Sequence, residues 1–206
     1  MKRALERRLS AVEGFRDPSA ALEQYPTPAA LAAHLLHLAD LHGDIAGRTV
    51  ADLGTGTGML ALGAATREPE RVLAVERDPA ALAVARENEP RVEPPVGVDW
   101  LLGDATRPPL AEVDTVVMNP PFGAQRGSEH ADRAFLAATA EVAGVSYSVH
   151  NADSKSFVES FAADEGGEVT HAFAAEFDVE RQFEFHTSER EALDVEVFRI
   201  EWAGYS

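Results

Sequence analysis

The 206-residue sequence predicts an α/β fold: a seven-stranded, mostly parallel sheet with helices on both faces and an antiparallel pair of strands at one edge. Three observations lead there. Short apolar runs alternate with helix-period stretches over about 150 residues, and strands that alternate with helices build parallel sheets. The last two apolar runs are longer, alternate polar with apolar residues, and have no clear helical stretch between them, so they pair with each other. A glycine-rich turn, LGTGTG, follows the first run, where a strand hands over to a helix and a ligand can approach the backbone.

Residues 2–13 carry Leu5, Leu9 and Val12 at helical spacing, with Lys2, Arg3, Arg7 and Arg8 around them. They predict a short amphipathic helix with a basic face, either packed on the domain or turned toward nucleic acid. Pro28 and Gly43 bound a helix over about 28–42. RTVADL is the first strand, followed by a helix in GMLALGAATR. RVLAVE is the second strand, and PAALAVARENE its helix. VGVDWLL and VDTVVM are strands three and four. A helix in ADRAFLAATAEV precedes strand five in GVSYSVH, and SKSFVESFAAD is the last helix. EVTHAFAAEFDVE and LDVEVFRIEW form the terminal antiparallel pair. No repeat or long linker divides the chain, so residues 1–206 read as one domain, with 1–45 as N-terminal helices and the EQYPTP segment.

Composition narrows the setting. Hydrophobic residues make up 45%, enough for a packed core, and there is no cysteine for a disulfide or a thiolate zinc site. The N-terminus MKRALERRLS has no apolar signal region, and PAALAAHLLHLADLHG is too short and too polar to span a bilayer. The expectation is a cytoplasmic protein without a membrane partner. Asp and Glu number 35 against 18 Lys and Arg, for a net charge of −17. A cytosol of very high salt fits that excess, because the Debye length there falls to about 3 Å or less and self-repulsion fades. Such a surface argues against nucleic-acid binding in dilute salt, and only weakly in concentrated salt.

Three carboxylates fall at successive strand ends. Asp52 lies two residues before Gly54, the first glycine of the loop that continues through Gly56 and Gly58. The residue after Gly58 is Met59, so the spacing departs from the dinucleotide fingerprint. Glu76 ends strand two, where a carboxylate accepts from both hydroxyls of a ribose. Asp104 ends strand three beside Ala105 and can accept from an adenine amine, with the Ala105 N–H alongside. Each acid alone reads equally well as a cap or a solvated loop residue. Together with the glycine loop they suit a ligand with an amino acid, a ribose and an adenine, and S-adenosylmethionine has all three.

MNPPFG follows strand four. Prolines fix the backbone and withhold N–H groups, which makes a rigid corner. The Asn119 side-chain oxygen and the Pro120 carbonyl can accept both hydrogens of an exocyclic amine, Pro121 stiffens the turn, and Phe122 can stack on a base. The bland alternative is a plain Asn-Pro turn. His34 and His37 lie at helical spacing without a third ligand, so no metal site is read. His150 and His186 are candidates to face RNA, or to bond internally.

On these residues the chain resembles an S-adenosylmethionine-dependent N6-adenine methyltransferase of the methyltransferase-like-five family, which modifies small-subunit rRNA. The likeness runs nearly end to end through EGFRDPSAALEQYPTP, VADLGTGTGML, VMNPPFG, AFLAAT, YSVH and FEFHTSEREALDVEVFRI. It implies a Rossmann-like class I methyltransferase in which Gln24 and Thr27 close over the cofactor. Gly54, Thr57, Met59, Glu76, Asp104 and Ala105 then line its pocket, and Asn119 to Phe122 carry catalysis. The chain departs from the family in having Asn151 where a lysine is usual and TSERE where a basic cluster is usual. The resemblance also implies a small zinc-ribbon activator protein, added as a strand at the 96–102 edge, and hence a monomer or heterodimer; a helix of the same chain covering that edge is the alternative. Competing readings are N5-methylation of a glutamine in a translation protein, a DNA adenine methylase, and a non-catalytic ribosome-assembly scaffold.

Overall fold

A computed structural model describes residues 2–121, 131–180 and 190–204. Helices are α1 Lys2–Leu9, α2 Ala29–Leu41, α3 Met59–Ala65, α4 Pro79–Val92, α5 Ala131–Val142 and α6 Lys155–Asp164. Strands are β1 Thr49–Leu53, β2 Arg71–Glu76, β3 Val98–Leu102, β4 Val113–Met118, β5 Ala143–Asn151, β6 Gly167–Glu180 and β7 Arg190–Trp202. The expected elements are all present in the expected order.

The sheet order is β3-β2-β1-β4-β5-β7-β6. Strands β1 to β5 pair in parallel, β7 runs antiparallel to β5, and β6 runs antiparallel to β7. From β1 the chain builds outward to β3, then returns to lay β4 on the other side of β1. That reversal places a crevice at the carboxyl ends of β1 and β4, the usual ligand position in such sheets. The order also makes β3 an outer strand, as expected.

Strand β1 is buried along Val50–Leu53 because helices cover both faces, and its near-continuous apolar run follows from that. Side chains alternate between the two cores. Val50, Val117, Tyr147 and Val197 pack with α1 and α2, while Ala51, Met118, Phe198 and Ile200 pack with α5 and α6. A third cluster joins α3 and α4 to β2 and β3. The antiparallel pair is tied to the parallel part through Arg199, whose Nε donates to Asp44 Oδ2 (2.8 Å) and to the Tyr147 hydroxyl (3.0 Å).

Several boundaries differ from the expected ones, and three differences have a clear cause. Helix α1 stops at Leu9, short of the expected residue 13, because the chain turns there and runs across to α4. Helix α4 continues through Pro90 to Val92, which is 1% exposed. Its last turn is held from outside: Arg8 donates from Nε to the Val92 carbonyl and from its Nη2 to the Glu93 carbonyl. Burial and a side-chain cap thus override the helix-breaking tendency of proline. Strand β3 starts at Val98, so Val96 lies in the connection before it.

Candidate active site

The loop after β1 is pinned from three sides. The Gly54 and Thr55 amides both donate to the Val75 carbonyl, at 2.9 and 3.0 Å. Gly56 has φ +57, and a Cβ there would lie 2.9 Å from the Phe15 ring, so this position takes glycine on both conformational and steric grounds. Glu76 at the end of β2 accepts from the Gly56 N–H through Oε2 (2.9 Å) and from the Asp78 N–H through Oε1 (2.8 Å). Two backbone donors orient the carboxylate, and each oxygen keeps a lone pair for a hydroxyl.

Asp52 is placed differently from its expected role. It is 1% exposed and does not line the cavity. Its Oδ2 accepts from the Thr55 hydroxyl (2.6 Å) and the Ala61 N–H (2.8 Å), tying the loop to the first turn of α3. Burial pushes its carboxyl up to about 7, against the pull of those two hydrogen bonds. Asp52 therefore holds the loop from behind and makes no contact with the ligand space. A carboxylate two residues before a glycine is legible in sequence, but the side of the loop it faces is not.

A strap over residues 13–27 covers the loop. Asn88, fully buried in α4, accepts from the Glu13 N–H and donates to the Glu13 and Thr57 carbonyls, all at 2.9 Å. Gln24 accepts from the Ser19 N–H (2.8 Å) and donates to Asp78 Oδ2 (2.6 Å). Asp78 also caps α4 by accepting from the Ala80 N–H. Thr27 ends the strap against the β4 corner, where its hydroxyl accepts from Asn119 Nδ2 at 2.9 Å.

Loop, strap and corner enclose a cavity of about 260 Å³. Gln24, Thr27, Gly54, Gly56, Thr57 and Met59 line one part of it. Glu76, Asp104, Ala105, Asn119 and Pro121 line it as well. Pro120 is buried behind the corner, and Phe122 lies outside the described residues. Asp104 accepts from the Thr106 N–H (2.9 Å) and hydroxyl (2.8 Å). The Thr106 bonds, with Arg77 and Arg107 nearby, hold its carboxyl below the ordinary range. Among the described residues the Asn119 Oδ1 is buried and has no hydrogen-bond partner. A buried acceptor left open at a cavity is a binding feature, since such a group is otherwise satisfied.

Phe15, Phe135 and Arg77 also line the cavity and were not singled out from sequence. Phe15 and Phe135 sit in the stretches GFRDP and AFLAAT, where an aromatic residue gives no sign of its partner. Asn88 sits among the charged residues of ARENEPR on α4, where nothing marks it as buried, and gave no signal. His150 does not face outward as RNA contact requires. It is 1% exposed, bonds Ser148 Oγ through Nε2 (2.8 Å) and lies edge-on to Phe198, because β5 is central and covered on that face. His186 and the TSERE segment through Glu189 lie outside the described residues. His34 bonds Lys2 Nζ through Nδ1 (2.9 Å) and packs near Phe173.

This fold with this cavity defines a Rossmann-like S-adenosylmethionine-dependent methyltransferase, and the donor set suits the cofactor. Glu76 offers oriented acceptors for hydroxyls, the glycine loop offers close backbone approach, and Met59, Ala105 and Phe15 offer an apolar lining. The profile of the family "Methyltransferase small domain" matches residues 30–145. The rRNA N(6)-adenosine-methyltransferase Mettl5 of Drosophila melanogaster is 31% identical, over 97% of this chain and 95% of that protein. A protein of Methanocaldococcus jannaschii is 34% identical over 99% of this chain and 95% of its own length. A crystal structure from Pyrococcus horikoshii superposes with a TM-score of 0.87 at 40% identity, covering 98% of this chain and 97% of that one. The chain belongs to the Methyltransferase small domain family and, within it, to the Mettl5-type methyltransferases.

Proposed function

We propose that this protein methylates the N6 amine of an adenosine in small-subunit rRNA. The single observation that carries the proposal is the Asn119 amide at the end of β4: the residue lines the cavity, and its buried Oδ1 has no hydrogen-bond partner among the described residues. Adenosine N6 in rRNA is the target named for the Drosophila relative, which matches this chain over nearly its full length.

S-adenosylmethionine, when bound, supplies an electrophilic methyl carbon. Gly54, Gly56, Thr57, Met59, Glu76, Asp104 and Ala105 would hold it, with Gln24 and Thr27 in the strap above. Asn119 Oδ1 is assigned to accept one hydrogen of the target amine; the Pro120 carbonyl is assigned the other, although Pro120 itself is buried and not among the lining residues. An exocyclic amine is a poor nucleophile while its lone pair is delocalised into the ring. Two acceptors in fixed positions pull the nitrogen toward tetrahedral geometry and localise that lone pair. The proline corner keeps the acceptors from relaxing, so the effect is one of positioning, and no strong base is required. The excess proton on nitrogen then passes to water. The base must be unpaired or flipped out to reach the corner, and Phe122 is assigned to stack on it.

A small zinc-ribbon activator added along β3 belongs to the same reading. Supporting it, β3 is a sheet edge and Leu102 at its end is 61% exposed.

The test is transfer of labelled methyl from S-adenosylmethionine to unmodified small-subunit rRNA in high salt, with and without that activator. The expected product is N6-methyladenosine at one position, lost in Asn119→Ala. Cofactor binding without label on RNA, and label appearing on a glutamine amide of a translation protein, would reverse the assignment of substrate.

A further inference from the structure

A primary amide presents an acceptor on one side and two donors on the other, on nearly identical volumes. An amine-holding asparagine works only with its oxygen toward the amine; turned over, it sets donor against donor. The productive orientation is the one in which a donor-only amine meets Oδ1 while a neighbouring hydroxyl, which can accept as well as donate, takes Nδ2.

In the structure that neighbour is Thr27. Its hydroxyl accepts from Asn119 Nδ2 at 2.9 Å, and Oδ1 is the atom left open. When a target amine donates to Oδ1, this is the arrangement in which both ends of the amide are satisfied. The hydroxyl itself is well placed to act as an anchor. Thr27 stands between Pro26 and Pro28, the latter at φ −57 and ψ 137, so the backbone around it is restricted to extended conformations. Its β-branched side chain is stiff at χ1. Three residues earlier the strap is pinned again, where Gln24 donates to Asp78 Oδ2.

Resting on the assignment of Asn119 above, we infer that Thr27 is a positioning residue: its hydroxyl anchors the Asn119 amide, accepting from Nδ2 when the substrate amine donates to Oδ1. The strap then has two roles, covering the cofactor space and aligning the catalytic corner. The amine hydrogens are held in the productive geometry only while the strap is seated, which couples closure over the cofactor to competence for transfer.

Wild type, Thr27→Val, Thr27→Ser and Asn119→Ala are compared on the same rRNA fragment. The measurements are kcat, KM for RNA, calorimetric affinity for S-adenosylmethionine, and Tm. Valine matches threonine in shape and removes the hydroxyl, and the site is a half-buried loop, so the fold stays intact. Loss of about 1 Å of positioning costs up to about a hundredfold in rate, so Thr27→Val should lower kcat, measured at saturating S-adenosylmethionine, about tenfold or more, over and above any loss of cofactor affinity. Thr27→Ser, which keeps the hydroxyl, should recover most of kcat. Wild-type kcat in Thr27→Val beside an inactive Asn119→Ala overturns the role of Thr27 and leaves that of Asn119 standing. A defect confined to cofactor affinity also overturns it, making Thr27 a cofactor contact alone. Full activity in Asn119→Ala overturns the assignment of Asn119 itself, and the inference with it.

Discussion

Asp52→Asn tests how the glycine loop is held. Asp52 lies beneath the loop with Thr55 and Ala61 both donating to Oδ2, and Oδ1 is without a partner among the described residues. Burial raises its carboxyl from 3.8 to about 7; the two hydrogen bonds oppose the rise and the nearby Glu76 charge adds to it. An acid whose folded value is raised binds its proton more tightly in the folded than in the unfolded state. Its contribution to stability is therefore full below the unfolded value, falls as pH rises between the two, and levels off above the folded value. Each pH unit well inside that window is worth about 1.4 kcal/mol and the slope falls near the folded value, so from pH 5 to 7 the wild type should lose about 2 kcal/mol relative to a chain without the charge. Asparagine keeps an acceptor for Thr55 and Ala61 and cannot ionise. Urea unfolding of both proteins at pH 5, 6, 7 and 8, at one salt concentration, measures the difference directly. The difference should move against the wild type up to about pH 7 and then flatten. A difference that stays level, or moves in the wild type's favour, refutes the argument that desolvation dominates at Asp52.

Asn88→Ala should unlatch the strap: it leaves the buried Thr57 carbonyl without its donor and frees Glu13, at a cost of about 2–4 kcal/mol in thermal or urea unfolding. It should also weaken S-adenosylmethionine affinity although it lies outside the cavity lining, and unchanged affinity would argue against the strap as part of the site. With 35 acidic against 18 basic residues, the protein should gain Tm steadily from low to multimolar salt. An equal Tm at both ends of that range would remove the case for a high-salt cytosol.

Some of this protein was legible in the chain alone. Element types and order followed from hydrophobic period, because a strand buried on both faces and an amphipathic helix leave different spacings of apolar residues. The positions of the glycine loop, Glu76 and the Asn119 corner at the cavity were legible because each lies at the carboxyl end of a strand. The strand-length alternation in 168–180 and 193–202 was enough to foresee an antiparallel pair.

What the chain alone did not decide was which way buried polar side chains turn. Asp52 and Glu76 look alike in sequence, both acids at strand ends, yet one braces the loop from behind and the other faces the cavity. For His150 the sequence left facing RNA and bonding internally both open, and the mid-sheet place of β5 decided for burial. Asn88 and Thr27 act through partners 75 and 92 residues distant in sequence. Periodicity specifies which face of an element is apolar, and it carries no information on contacts between elements far apart in the chain. Those contacts are set when the return from β3 to β4 brings the strap, the glycine loop and the NPP corner to the same end of the sheet.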